Sequence, residues 1–285
     1  MIILSLNGGL GNQLFQLYTG LAYSIKYSIP CKISSLKEDD NKSASGDPRP
    51  TYWNNLLINL KSFIEKINLE QQVYQYTEPS FHFIPIPKIS YNFKLQGYFQ
   101  SFKYFQDQKT EIGNLIGLKE LHSNVLSTYS RYFNTKKPVI SLHFRIGDYK
   151  YLTDLHPILD NKYYINALTF IKDTLKNDKL SILCFNEKQD DIIVKKNINE
   201  LKSKFTNCEF IQIDYSIEDW NQLLIMSCCH HNIIANSSFS WWGAYLNTYE
   251  NNIVCYPNMW FGKNLLMNNT KDLFPINWNK IIVKH

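Results

Sequence analysis

The chain has 285 residues, 44% hydrophobic and 19% charged, a globular composition with material for a sizeable core. A net charge of +5 is mild and, with no basic run, argues against nucleic acid while favouring anionic small molecules or an anionic membrane surface. The length exceeds a typical single domain and suggests two. An aromatic share of 15% fits a glycan or nucleotide surface, or simply a well-filled core.

Met1-Ile2-Ile3-Leu4-Ser5-Leu6 lacks a basic start, is too short for a secretory signal and runs straight into glycines, so it predicts a first strand. No stretch approaches the length of a membrane-spanning helix. The six cysteines (31, 184, 208, 228, 229, 255) show no Cys-x-x-Cys spacing and several sit in apolar runs, which points to reduced, buried thiols in a cytoplasmic protein. Cys228-Cys229-His230-His231 has metal-binding residue types. Four consecutive residues cannot converge on one tetrahedral ion, so no metal site is expected there.

Asn7-Gly8-Gly9-Leu10-Gly11-Asn12-Gln13-Leu14-Phe15-Gln16 comes next, followed by Leu17, Leu21, Ala22 and Ile25 at helical spacing. The order is strand, glycine loop, helix, and backbone amides at such a helix start attract anions. The match to a dinucleotide fingerprint is partial. Gly9-x-Gly11 is present, but Leu14 holds the third glycine position and no acid ends a second strand near Ile29–Ser34. Either a tight strand-to-helix turn or a ligand loop fits, and an NAD-dependent oxidoreductase is the alternative function it leaves open. The polar side chains of Asn12 and Gln13 ahead of an apolar helix face favour a ligand.

Leu36–Pro50 reads as an exposed loop, and Leu56–Ile67 has mixed helical periodicity. Prolines exclude a regular central strand in Phe81–Pro87. Tyr91–Leu95 predicts a strand leading into Gly97-Tyr98-Phe99-Gln100-Ser101, and Ile112–Tyr132 predicts a helix. Asn134-Thr135-Lys136-Lys137-Pro138 marks a boundary, dividing the chain into 1–135 and 136–285.

The second half opens on Val139-Ile140-Ser141-Leu142-His143-Phe144, a buried strand that runs into Arg145, Gly147 and Asp148. Ligands of open α/β sheets sit outside the carboxyl ends of strands, so His143, Arg145 and Asp148 would project into that crevice. Arginine suits a diphosphate because its planar fork makes paired charge-assisted bonds. An Arg–Asp pair that merely closes a turn is the competing reading. Leu155-His156-Pro157 and Asp160 follow, then a helix through Tyr163, Ala167 and Ile171. Strands at Leu180–Phe185 and Phe210–Ile213 enclose a helix at Asp190–Phe205, the alternation of a parallel sheet. Trp220–Cys229 is helical and Asn232–Ala235 a short strand. It ends in Asn236-Ser237-Ser238-Phe239-Ser240, whose Ser and Asn can cap the helix that Trp241 and Trp242 begin, a suitable phosphate seat. The two tryptophans favour packing against the sheet over stacking on a base. Aromatic-proline loops at Cys255-Tyr256-Pro257, Trp260-Phe261-Gly262 and Pro275-Ile276-Asn277-Trp278 close the domain.

Taken together, Gly8–Gln16, His143–Tyr149 and His231–Ala244 resemble, in this order and spacing, the bacterial-type α-1,2-fucosyltransferases of glycosyltransferase family 11. The resemblance spans nearly the whole chain. It implies a GT-B arrangement, an α/β architecture of two Rossmann-like domains facing a central cleft: 1–135 on the acceptor side and 136–285 binding GDP-β-L-fucose. It further implies inverting, metal-independent transfer to the 2-hydroxyl of a galactose residue in glycan or O-antigen synthesis. By the same resemblance Arg145 holds the β-phosphate with His143 beside it, Ser237, Ser238 and Phe239 line the pyrophosphate, and Gly11 and Asn12 close over the donor. Asp219 would touch guanine or ribose. No Asp-x-Asp triplet occurs in the chain, which fits Arg145 in place of a cation.

Inverting transfer calls for a general base. Asp148 is the first candidate, His143 the second, and Asp154 or His156 outsiders. Residues 150–160 match the family least and mark where acceptor contacts would fall. The expected partners are GDP-fucose and a galactose-terminated or lipid-linked glycan, with no nucleic acid and with peripheral attachment at the inner membrane face open. A glycan- or nucleotide-binding module without turnover is the alternative from a different class, but binding alone gives no reason for the His–Arg–Asp cluster.

Overall fold

The computed structural model describes residues 1–34, 49–65 and 73–283. The chain groups into two compact units, Met1–Leu121 with Asn268–Pro275, and His122–Met267 with the chain from Ile276 on. The break thus falls earlier than 135/136, because the buried His122 ring shares a 2.9 Å hydrogen bond with Ser227 of the second unit. Asn268–Pro275 returns to the first unit, where Ser101 Oγ donates to the Asp272 carbonyl at 2.6 Å and Lys103 pairs with the Asp272 carboxylate at 2.5 Å. Most of the loop expected at Leu36–Pro50 lies outside the described residues.

The first unit runs β1 (Ile2–Leu4), α1 (Leu10–Tyr27), β2 (Cys31–Ser34), β3 (Ile64–Glu65), β4 (Tyr74–Thr77) and β5 (Phe93–Gln96). All pairings are parallel, in the order β3-β2-β1-β5-β4. β1 therefore sits where the chain branches to both sides, and the glycine loop leaves from its carboxyl end. Helix α1 lays Leu14, Phe15, Leu17, Tyr18 and Leu21 into the core, all at most 1% exposed. Leu56–Ile67 yields a 3-10 turn at Ile58–Phe63 followed by β3, and β4 is a strand the sequence did not announce. The predicted helix Ile112–Tyr132 is split into α2 (Lys109–Ile116) and α3 (Leu118–Thr128). Gly117 separates them at φ +72, the left-handed conformation that closes a helix end.

The second unit runs β6 (Val139–His143), α4 (Asn161–Leu175), β7 (Ser181–Phe185), α5 (Asp191–Lys204), β8 (Glu209–Gln212), α6 (Asp219–Ser227), β9 (His231–Ile233), α7 (Ser238–Tyr245), β10 (Val254–Pro257) and β11 (Asn279–Ile281). The sheet is again parallel, ordered β11-β10-β9-β6-β7-β8. Cys255–Pro257 is thus strand rather than loop, and β11 follows Trp278. Ile140, Leu142, Ile182, Cys184, Leu168, Ile171, Val194 and Leu201 form the core on one face, and β6 and β7 are buried at every position, as expected of strands covered on both faces. Trp241 and Trp242 are fully buried, Trp241 stacking on Tyr245 at 4.7 Å, so they pack the helix.

His230 Nδ1 and His231 Nδ1 accept from the amides of Val139 and Ile253, which commits both rings to backbone. Among the described residues no group of three His, Cys, Asp or Glu side chains is placed to hold a metal. All six thiols are free, and burial pushes Cys31, Cys184 and Cys228 up to about 12. Among the described residues no helix is long and apolar enough to cross a membrane.

Gly20 of α1 lets the helix lie directly on β1, since a Cβ there would stand 2.4 Å from Leu4 Cδ2 and 2.9 Å from Leu4 Cγ. Gly20→Ala is expected to lower stability by about 1–3 kcal/mol through overpacking. Urea denaturation measures it, and adding Leu4→Val should recover part of the loss.

Candidate active site

In the second unit β6 lies at the branch point: β7 and β8 extend to one side, β9, β10 and β11 to the other. A doubly wound sheet opens its crevice there, outside the carboxyl ends of the two central strands. The loops after β6 and β9 carry the second and third motifs, so the topology brings together what the sequence separates.

Tyrosines of α4 satisfy the carbonyls at these strand ends. Tyr164 donates to the His143 carbonyl at 3.1 Å, and Tyr163 donates to those of Ile234 and Cys255 at 2.6 and 3.1 Å. Beyond His143 the backbone turns at Gly147, with φ +40. A Cβ there would lie 2.8 Å from Glu187 Oε1 and 2.9 Å from Arg145 Nη1, so both conformation and space require glycine. The Gly147 amide donates to Asp190 Oδ2 at 2.7 Å, and Asp190 Oδ1 pairs with Lys150 at 2.5 Å.

Arg145 is oriented from three sides. Nη2 bonds Asp148, Nη1 bonds Glu187 at the end of β7, and its guanidinium carbon stands 4.7 Å over the Tyr149 ring. Burial works against its charge, but Tyr149, Glu187 and Asp148 outweigh that and hold its pKa above the usual value. Tyr149 in turn donates to the Asn236 carbonyl at 3.1 Å and stacks on His156 at 4.6 Å.

His143 is 7% exposed, and its Nδ1 is buried without a partner. Burial, reinforced by the Arg145 charge, pushes it down to about 3, so the ring is neutral at physiological pH. Its ring lies 5.7 Å from that of Phe239. Ser237 caps α7 by accepting from the Phe239 amide at 3.3 Å, and Ser238 and Phe239 are half-buried in the first turn. Asn236 Nδ2 donates to the carbonyls of Pro157 and Trp260, tying the 150–160 segment to this loop. Asp154 pairs with Lys263 at 3.1 Å, both largely exposed. Asp219 lies exposed at the start of α6, its Oδ1 accepting from the Trp220 amide at 2.7 Å.

In the first unit, amide side chains brace the glycine loop, and Arg49 Nη1 stands 3.7 Å from where a Cβ at Gly9 would lie. Gln16 accepts from the Asn7 amide and donates to the Asn7 carbonyl, at 3.1 and 2.9 Å, while Gln13 donates to the Gly8 and Pro50 carbonyls. Gly11 is buried, and Asn12 Oδ1 accepts from Gln100 at 2.8 Å. Glu78 holds the Gly97–Ser101 turn by accepting from the amides of Tyr98 and Phe99, both at 2.9 Å.

The structure therefore gathers His143, Arg145, Asp148 and Phe239 around one strand end of the second unit, and Gly11 with Asn12 at the branch point of the first. Sequence reasoning missed Glu187 and Asp190, and gave no role to Tyr149, the last residue of the second motif. Glu187 and Asp190 follow a predicted strand, β7, and a survey of polar residues just beyond strand ends would have found them.

Two Rossmann-like parallel-sheet units, each with its loops clustered at central strand ends, are the architecture of the GT-B fold. Escherichia coli ADP-heptose lipopolysaccharide heptosyltransferase II shares this fold, with a TM-score of 0.52 at 10% identity over 100% of this chain and 92% of that one. The model of glycosyl transferase family 11 matches residues 52–282, and the chain belongs to that family. Two Escherichia coli relatives are similar over nearly their full lengths. An alpha-1,2-colitosyltransferase is 28% identical over 99% of both chains, and the O-antigen biosynthesis glycosyltransferase WbnK is 30% identical over 91% of this chain and 94% of its own.

His143 couples this site to pH. Its folded pKa of about 3 lies below the ordinary value near 6.5, so the unfolded chain takes the proton first and stability is lost as pH falls from 6.5 towards 3. At pH 5 the expected loss from His143 is at most about 2 kcal/mol. His122 and His231, each pushed down to about 4 chiefly by burial, act in the same direction. Urea denaturation at pH 7 and 5 should show a shallower pH dependence for His143→Gln than for the wild type. Equal slopes would contradict the assignment.

Proposed function

We propose that this glycosyltransferase is a galactoside α-1,2-fucosyltransferase: it transfers L-fucose from GDP-β-L-fucose to the 2-hydroxyl of a galactose residue, with inversion and without a metal. The observation that carries the reading is Arg145, a guanidinium aimed by Asp148, Glu187 and Tyr149 at the carboxyl end of the central strand. The O-antigen name of one relative supports an oligosaccharide acceptor, free or lipid-linked.

The acceptor oxygen bonds to the anomeric carbon as the bond to the β-phosphate oxygen breaks. The electron pair leaves on GDP, and the hydroxyl proton passes to a base. Arg145 and the amino end of α7, where Ser237, Ser238 and Phe239 lie, face the charge growing on the diphosphate. Both are fixed in advance, so little reorganisation is needed. Asp148, on the turn that carries Arg145, is the base in this scheme. Gly11 and Asn12 serve donor binding, Asp219 serves guanine or ribose, and the 150–160 segment serves the acceptor.

One relative's name favours a second donor sugar, colitose, on the same site. Parallel assays with fucosyl and colitosyl donors, with linkage analysis of the product, separate the two.

GDP, but not NAD, should raise the melting temperature of the wild-type protein. Arg145→Ala and Arg145→Lys should each reduce turnover at least about a hundredfold while circular dichroism stays native, as for loss of a preorganised charge-stabilising donor. Near-normal turnover in Arg145→Lys would refute the forked-phosphate role.

A further inference from the structure

The charges around the end of β6 do not favour an anion. Arg145 is paired with Asp148 and Glu187, and Lys150 with Asp190, so two cations meet three carboxylates. His143 is neutral and adds nothing. A diphosphate approaching Arg145 meets net negative charge, and like charges at short range oppose binding.

The three acids differ in how firmly they are held. Asp190 is 1% exposed and bonded to the Gly147 amide as well as to Lys150. Asp148 lies on the same turn as Arg145, with 27% of its side chain exposed. Glu187 comes from another strand end, its side chain is 45% exposed, and its second oxygen accepts from Gln189 at 2.6 Å. It reaches water with the least rearrangement. Its place is also built by the sequence, since a side chain at position 147 would collide with its Oε1.

Resting on the reading that Arg145 grips the donor's diphosphate, we propose that Glu187 sets donor affinity by competing with a diphosphate oxygen for Arg145 Nη1. Donor binding exchanges one anion for another on the same nitrogen. The carboxylate then rotates towards solvent, and Asp148 keeps the guanidinium aimed through Nη2. After transfer, Glu187 reclaims Nη1 and weakens the hold on GDP.

The test is calorimetric titration of the wild type, Glu187→Gln and Glu187→Ala with GDP and with guanosine. Removing the charge should tighten GDP binding about three- to fivefold, the range of an ion pair with one half-exposed partner, in both variants. Guanosine, which lacks phosphate, should bind all three proteins equally. Damage to the site weakens binding and cannot produce a gain. Unchanged or weaker GDP binding in both variants overturns the role of Glu187, and so does an equal gain for guanosine. If the wild type fails to bind GDP, the reading of Arg145 falls as well.

Discussion

A carboxylate taken out of water fixes where the second unit's strand end points. Asp190 is essentially inaccessible, and burying such a charge is costly unless it is paired and hydrogen-bonded. Here the Gly147 amide and the Lys150 ammonium meet it from one short turn. The turn after β6 is thereby locked at the residue with φ +40, and Arg145 and Asp148 flank that residue. Without this anchor, the backbone that carries the guanidinium would be free to move, and its aim would rest on the side-chain contacts with Asp148, Glu187 and Tyr149 alone.

The two units solve the same topological problem with different chemistry. Each places a loop beyond the central strand of a parallel sheet. In the first, the loop is held by uncharged amides, with Gln16 closing a two-way bond on Asn7 and Gln13 bracing Gly8. In the second, the loop is held by a charged lattice whose members are all near a strand end. Neutral scaffolding suits contacts with hydroxyls and backbone. Charged scaffolding suits a ligand whose own charge changes during reaction.

Much of this was legible in the sequence, for physical reasons. β1 with α1, β6, and the capped α7 announce themselves through apolar runs that end in glycine, serine or asparagine, and three motifs in order suffice to point to the family. What escaped was what sequence distance hides. Glu187 lies 42 residues from Arg145 and Asp190 lies 43 from Gly147, so neither pair leaves a local pattern. β4 sits at the sheet edge with most side chains exposed, so its apolar alternation is lost, and β10 ends on a proline that reads as a loop. The helix break at Gly117 follows from one left-handed residue inside an otherwise periodic run. The return of Asn268–Pro275 to the first unit rests on Ser101 and Lys103, far back in the chain, and no single cut of the sequence can express it.

A single arginine in such a lattice is also an answer to product release. Were His143 protonated beside Arg145, the strand end would carry two adjacent cations and would hold a nucleoside diphosphate tightly. Burial and the neighbouring guanidinium prevent that by keeping the imidazole neutral. In the proposed reaction the remaining help for a leaving phosphate comes from the amino end of α7, whose partial charge acts over about one turn. With Glu187 displaced, one full charge shared with Asp148 and one helix terminus together face an anion while charge is building on it. After transfer Glu187 reclaims Nη1 while Asp148 holds Nη2 throughout, so one of the groups that aim the arginine also limits how long it retains what it binds.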